Sequence, residues 1–231
     1  MRKLGLIGGM SWVSTGMYYD RINRLVQRRS EPMVSAPLLV DSLDFSQLHG
    51  LREETDWQRA AQVLSDSAKR LQDAGADGLL IGANSMHKVY REVAETVDIP
   101  IIHIAECVGE AMKKAGCDSA ALIGTRNVMT ESFYRRRLVA HGVDLLPPEL
   151  VNVDAIDKII YEELMVGKVT RNAERTLRTI IMKKAQQGAK AIVIACTELD
   201  LIVDADANVM PIFESSRIHC QAAVDWMFAE D

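Results

Sequence analysis

The 231-residue chain has no apolar run approaching the length of a membrane span, no block of like charge longer than Arg135-Arg136-Arg137, and no paired cysteine spacing. Each absence removes a class of function. Without a span-length run, and with Met1-Arg2-Lys3 leading straight into a strand, the chain is expected to be cytoplasmic and to have no membrane partner. A net charge of −5, with the three arginines read as a solvated helix face, gives no electrostatic case for nucleic acid. Cys107, Cys117, Cys196 and Cys220 lack the spacing of a disulfide framework or a zinc cage. His49, His87, His103, His141 and His219 are scattered, so no metal is expected. The glycine turn at Gly8-Gly9 lacks the G-x-G-x-x-G spacing and a P-loop lysine, which makes it a weak nucleotide site.

What is present is ample apolar material, 48% of the residues, enough for one large core or two small ones. Ala191-Ile192-Val193-Ile194-Ala195 reads as a strand of a parallel sheet buried on both faces, and the polar Cys196-Thr197-Glu198 marks its carboxyl end. Open α/β sheets place chemistry at that edge, so Cys196 is a candidate reactive thiol; the alternative is a small apolar plug. Residues 75–85 lie over residues 188–198 without a gap, at an offset of 113, with Ala83 in the place of Cys196. Leu4 to Gly8 likewise lie over Ala120 to Gly124, and Tyr18 over Tyr134, at an offset of 116. Two copies of one α/β unit, far longer than a solenoid repeat, predict two similar lobes.

In chain order, strands are predicted at Leu4 to Gly8, Pro37 to Asp41, Gly78 to Ile81 and Pro100 to Ile104. The second copy repeats them at Ala120 to Gly124, Val143 to Leu146, Ala191 to Ala195 and Pro211 to Phe213. Helices are predicted through Tyr18, Ile22 and Leu25, over Trp57 to Ala74, after the strand at Pro100 to Ile104 and ending near Gly116, over Val153 to Met165 and over Ala173 to Gln187. Gly8-Gly9-Met10-Ser11-Trp12 is the turn out of the first strand; it could cradle an anion or be only a tight connection, with Ser11 or Ser14 capping the helix. Asn84 and Ser85, at the next helix start, suit a carboxylate ligand or serve as caps. Arg52 points at a cleft or at water. No stretch looks like a flexible linker.

The chain resembles the cofactor-independent aspartate/glutamate racemase family over essentially its whole length. The resemblance rests on Gly8 to Trp12, on Ala83-Asn84-Ser85-Met86-His87 against a Cys-Asn-Thr-x-His motif, on Thr125, on Tyr161-Glu162-Glu163 and on Cys196-Thr197-Glu198. It implies an α/β fold of two pseudo-twofold-related lobes, each a four-stranded parallel sheet flanked by helices, here 1–98 plus 211–231 and 99–210. It also implies a homodimer, no pyridoxal phosphate or other cofactor, and a small amino-acid or dicarboxylate substrate in the cleft. Cys196 would be catalytic, with Met10, Arg52, Asn84, Ser85, Thr125, Met165, Thr197 and Glu198 binding substrate, and Glu198 and Thr197 orienting the thiol.

Inversion at a carbon needs an acid/base group on each face, and a thiol serves because helix starts and neighbouring donors can lower its pKa from about 8.5. The chain departs from the family at Ala83, since a methyl group transfers no proton. This leaves an engineered trap, water in place of the thiol, or different chemistry, such as a single-cysteine decarboxylase or a binding protein without catalysis. Leu164-Met165-Val166 also lacks the basic residue that often follows Tyr-Glu, which weakens a specific claim for aspartate.

Overall fold

The computed structural model describes residues 1–48, 50, 51, 53–203 and 210–230. These divide into two compact units, Met1–His103 with His219–Asp231, and Ile104–Ile218. Among the described residues no helix is long and apolar enough to cross a membrane.

The first unit runs β1 (Leu4–Gly8), α1 (Trp12–Arg29), β2 (Leu38–Ser42), α2 (Glu54–Asp73), β3 (Gly78–Ile81), α3 (Tyr90–Ala94) and β4 (Ile101–Ile102). All pairings are parallel, in the order β2-β1-β3-β4. β1 and β3 are buried at every residue, because helices cover both faces. Alternation then sorts their side chains. Ile7, Leu79 and Ile81 pack with Trp57, Ala60, Leu64 and Ala68 of α2, while Leu4, Leu6 and Leu80 pack with Tyr18, Ile22 and Val26 of α1.

The second unit runs α4 (Ile104–Lys114), β5 (Ser119–Gly124), α5 (Arg126–Thr130), α6 (Ser132–Ala140), β6 (Asp144–Leu145), α7 (Leu150–Glu162), α8 (Arg171–Gln186), β7 (Ile192–Ala195) and β8 (Ile212–Glu214). Its parallel sheet has the order β6-β5-β7-β8, matching the first strand for strand. Ile192 and Ile194 face α7 and α8, while Val193 faces α4 and α6. Tyr18 and Tyr134 are both wholly buried, each on the helix that covers the same face of its own sheet. The chain closes with α9 (Ser215–Phe228), whose Ala223, Val224 and Met227 complete the core beneath Leu4 and Leu80.

Strand pairing moves the division of the chain away from the expected residues 98 and 210. β4 pairs with β3, so the first unit extends through His103; β8 pairs with β7, so the second extends through Ile218. Two further corrections follow. The helix read as Val153 to Met165 ends at Glu162, and Met165 lies in a separate 3-10 turn closed by Gly167 at φ +76°. The three arginines are not simply a solvated face: Arg135 is half-buried and donates to Leu145 O and Leu146 O at the end of β6, and Arg137 pairs with Glu106 of α4.

A fully buried polar knot sits in the first core. His219 donates through Nε2 to Ile102 O at 2.9 Å, so its Nδ1 accepts from the Tyr18 hydroxyl at 2.8 Å and the ring is neutral. Burial pushes this imidazole down to about 4 from an ordinary value of 6.5. Between those values the unfolded chain binds more protons than the folded one. Stability is therefore full above about pH 6.5 and falls as pH drops toward 4, by about 3 kcal/mol from this group. Urea midpoints at pH 7 and 4.5 should fall further for the native chain than for His219→Gln; equal falls would show that the knot does not titrate.

Candidate functional site

At the carboxyl end of β1, Gly9 adopts φ +76°, and a Cβ there would lie 2.0 Å from Leu43 O. Only glycine fits that approach. The Gly9 N–H donates to Thr15 Oγ1 at 2.8 Å, the Thr15 hydroxyl donates to Ser11 O at 2.9 Å, and Ser11 Oγ caps α1 by accepting from Ser14 N. Gly8 O accepts from Leu43 N at 3.1 Å. Of the two readings of this turn, the tight connection is the one these bonds build. Met10 is buried in the cluster that contains Ile7 and Trp57.

One strand over, the Gly82 N–H donates to Ile7 O at 2.9 Å, which fixes the exit of β3 beside the exit of β1. Ala83 follows, half-buried, and its carbonyl accepts from His87 Nδ1 at 2.9 Å. Asn84 has helical angles and its side chain makes no capping bond. Its carboxamide is buried, and neither Oδ1 nor Nδ2 has a hydrogen-bond partner among the described residues. Leaving such a group unpaired costs about 1–3 kcal/mol, so a polar ligand would find both a donor and an acceptor already desolvated. Half-buried Ser85 opens the 3-10 turn Ser85–Val89.

The second unit repeats the layout with different chemistry. Thr125 follows β5, is buried, and its Oγ1 also lacks a partner among the described residues. The next residue is held by α7: the Arg126 N–H donates to Asp157 Oδ1 at 2.9 Å, and its guanidinium pairs with Asp154. At the end of β7, Cys196 Sγ donates to Glu198 Oε2 at 3.1 Å, and Thr197 Oγ1 donates to the same oxygen at 3.1 Å. All three residues are buried. Half-buried Met165 packs against the cluster that contains Cys196 and Leu199.

The expectation of a lowered thiol pKa is reversed. Burial pushes the Cys196 thiol well above its ordinary value, and the Glu198 carboxylate adds to the rise; the backbone N–H groups of Glu198 and Leu199, at the helix start, pull the other way and lose. The sequence reading also left Tyr161 and Asp157 out of the site. Tyr161 is 38% exposed as a residue, yet its hydroxyl is pushed up, first by burial and then by Asp157, Cys196 and Glu198. Their spacing of four on α7, which puts two polar groups on one helix face, is the signal that could have found them.

The first unit thus gathers Met10, Ala83, Asn84 and Ser85 at the ends of β1 and β3, and the second gathers Thr125, Met165, Cys196, Thr197 and Glu198 near the ends of β5 and β7. Arg52, proposed for the cleft, lies outside the described residues, as does His49. Among the described residues no three His, Cys, Asp or Glu side chains converge as a metal ion would require. Removing the Glu198 charge should ease ionisation of the neighbouring thiol. Thiolate absorbance titrated against pH should give a lower Cys196 midpoint in Glu198→Gln than in the native chain, with Cys196→Ser as the blank. A midpoint that stays or rises would refute the assignment.

The profile of the Asp/Glu/Hydantoin racemase family matches residues 7–223. A candidate Asp/Glu racemase from Yersinia pestis has a similar structure, with a TM-score of 0.90 at 38% identity over 99% of this chain and 100% of that one. PH1733, an aspartate racemase homologue from Pyrococcus horikoshii OT3, gives 0.84 at 28% identity over 99% and 100%. The broad specificity amino-acid racemase RacX of Bacillus subtilis (strain 168) is 22% identical over 98% of each chain. With most of its length matched by the profile and both sheets in the same parallel order, the chain belongs to the Asp/Glu/Hydantoin racemase family.

Proposed function

We propose that this protein transfers the α-proton of a small amino acid of the aspartate or glutamate kind, using side chains alone, and that it works on one face of the carbon. The observation that carries the reading is the hydrogen-bonded Cys196–Glu198 pair at the end of β7, set against a methyl group, Ala83, at the equivalent position after β3. Family membership and the names of the relatives above support the substrate class.

In this mechanism the Cys196 S–H proton passes to the Glu198 carboxylate, and the thiolate takes the α-proton. The electron pair left on the α-carbon spreads into the substrate carboxylate. The unpaired donors on Asn84 Nδ2 and Thr125 Oγ1, with Ser85 and Thr197, hold that carboxylate as charge develops on it. Met10 and Met165 would border the substrate side chain. Proton return comes from the same thiol, so configuration is retained. General acid/base groups are worth about 10²–10⁴ in rate, and the face beside Ala83 has none.

Proton NMR of aspartate and glutamate enantiomers in deuterated buffer tests this. One enantiomer should exchange its α-proton at least about a hundredfold faster than it racemises. Ala83→Cys should restore two-way racemisation, and Cys196→Ser should abolish exchange. Racemisation by the native chain as fast as its exchange would overturn the one-sided mechanism. Absence of amino-acid exchange, with protonation after loss of CO₂ from a disubstituted malonate, would favour the decarboxylase reading that Ala83 also permits.

A further inference from the structure

The second unit contains a cavity of about 520 Å³ between α8 and the chain at residues 201–203. Arg171, Arg175 and Arg178 line it together with Glu174; half-buried Leu201, Ile202 and Val203 bring apolar surface, and the buried Leu177 and Ile181 form its floor. The three arginines are spaced i, i+4 and i+7, so they lie on one face of the helix within about 10 Å of rise.

Arg24, Arg29, Arg59, Arg70, Arg91, Arg126, Arg137 and Arg217 each pair with a carboxylate. Arg171, Arg175 and Arg178 have no ion pair among the described residues, although Glu174 lies on the same wall. Arg28 and Arg136 have no ion pair among the described residues either, so what sets Arg171, Arg175 and Arg178 apart is that they share one wall of a concavity. Like charges at i, i+3 and i, i+4 repel and weaken the helix that carries them. All three are exposed, and they border a concavity with an apolar side.

We infer that this cavity is a binding site for a small organophosphate with an apolar or aromatic body. Guanidinium forks match phosphoryl oxygens in pairs, and a dianionic group can engage more than one of them. Leu201, Ile202 and Val203, over the floor formed by Leu177 and Ile181, would take the apolar body, burying surface that inorganic phosphate lacks. None of these residues belongs to the strand-end site, so the inference does not depend on the reaction proposed above.

Isothermal titration of the full chain at low salt with phenyl phosphate, inorganic phosphate and benzyl alcohol separates the contributions. Phenyl phosphate should bind at least tenfold more tightly than either of the others, and at least tenfold more weakly to Arg175→Gln/Arg178→Gln. In the native chain its addition should shift the Leu177 and Ile181 methyl resonances, a readout that needs no variant. Equal affinity for phenyl phosphate and inorganic phosphate would overturn the site. So would binding retained by the double variant, or methyl shifts confined to other residues.

Discussion

Parallel pairing of β1 with β3, and of β5 with β7, is the constraint on which both strand-end sites depend. Ile7 stands opposite Ile81 and Gly124 opposite Ala195, so the residues that follow each pair emerge side by side at the same edge of their sheet. A slip of one residue would turn every side chain of β7 to the other face and carry Ile192 and Ile194 out of the core under α7 and α8. The cost of that slip protects the placement of Cys196. Fully buried central strands thus act as rigid mounts for side chains whose own positions are set by short turns.

At the end of β7 two electrostatic influences oppose each other. The helix start after Cys196 turns backbone N–H groups toward the sulfur, which favours thiolate, while burial and the carboxylate of Glu198 favour thiol. Burial wins, and the Glu198 carboxyl group at 3.1 Å adds to it, its Oε2 also accepting from the Thr197 hydroxyl. At rest the thiol keeps its proton and donates it to Glu198. Each unit also keeps polar atoms at its strand ends that have no partner among the described residues, Asn84 in the first and Thr125 in the second. Such desolvated, unpaired groups are costly to maintain, and a stable fold retains them where a ligand offsets the cost.

Much of this was legible in the residues. Apolar runs without alternation marked the buried strands, and the internal repeat implied two sheets with the same strand order, which the pairing bears out. The strands at Leu4–Gly8 and Gly78–Ile81 agree to the residue with the reading. What failed depends on contacts distant in sequence. The limits of the two units follow from pairing of β4 with β3 and β8 with β7, between residues far apart. The direction of the Cys196 shift follows from three-dimensional burial, which outweighs the local helix start that a sequence displays. Asp157 reaches Arg126 across 31 residues, a tie that no local pattern announces.

The last helix carries a consequence for how the chain is made. Residues 104–218 form one uninterrupted stretch, whereas the first unit is assembled from residues 1–103 and the segment after 218. In chain order the whole second unit therefore precedes Ala223, Val224 and Met227, the side chains that cover Leu4 and Leu80. His219, which ties Tyr18 to Ile102, belongs to the same later segment. The core around β1 and β3 is thus closed by residues made after the second unit, so the unit that is begun first cannot be finished first.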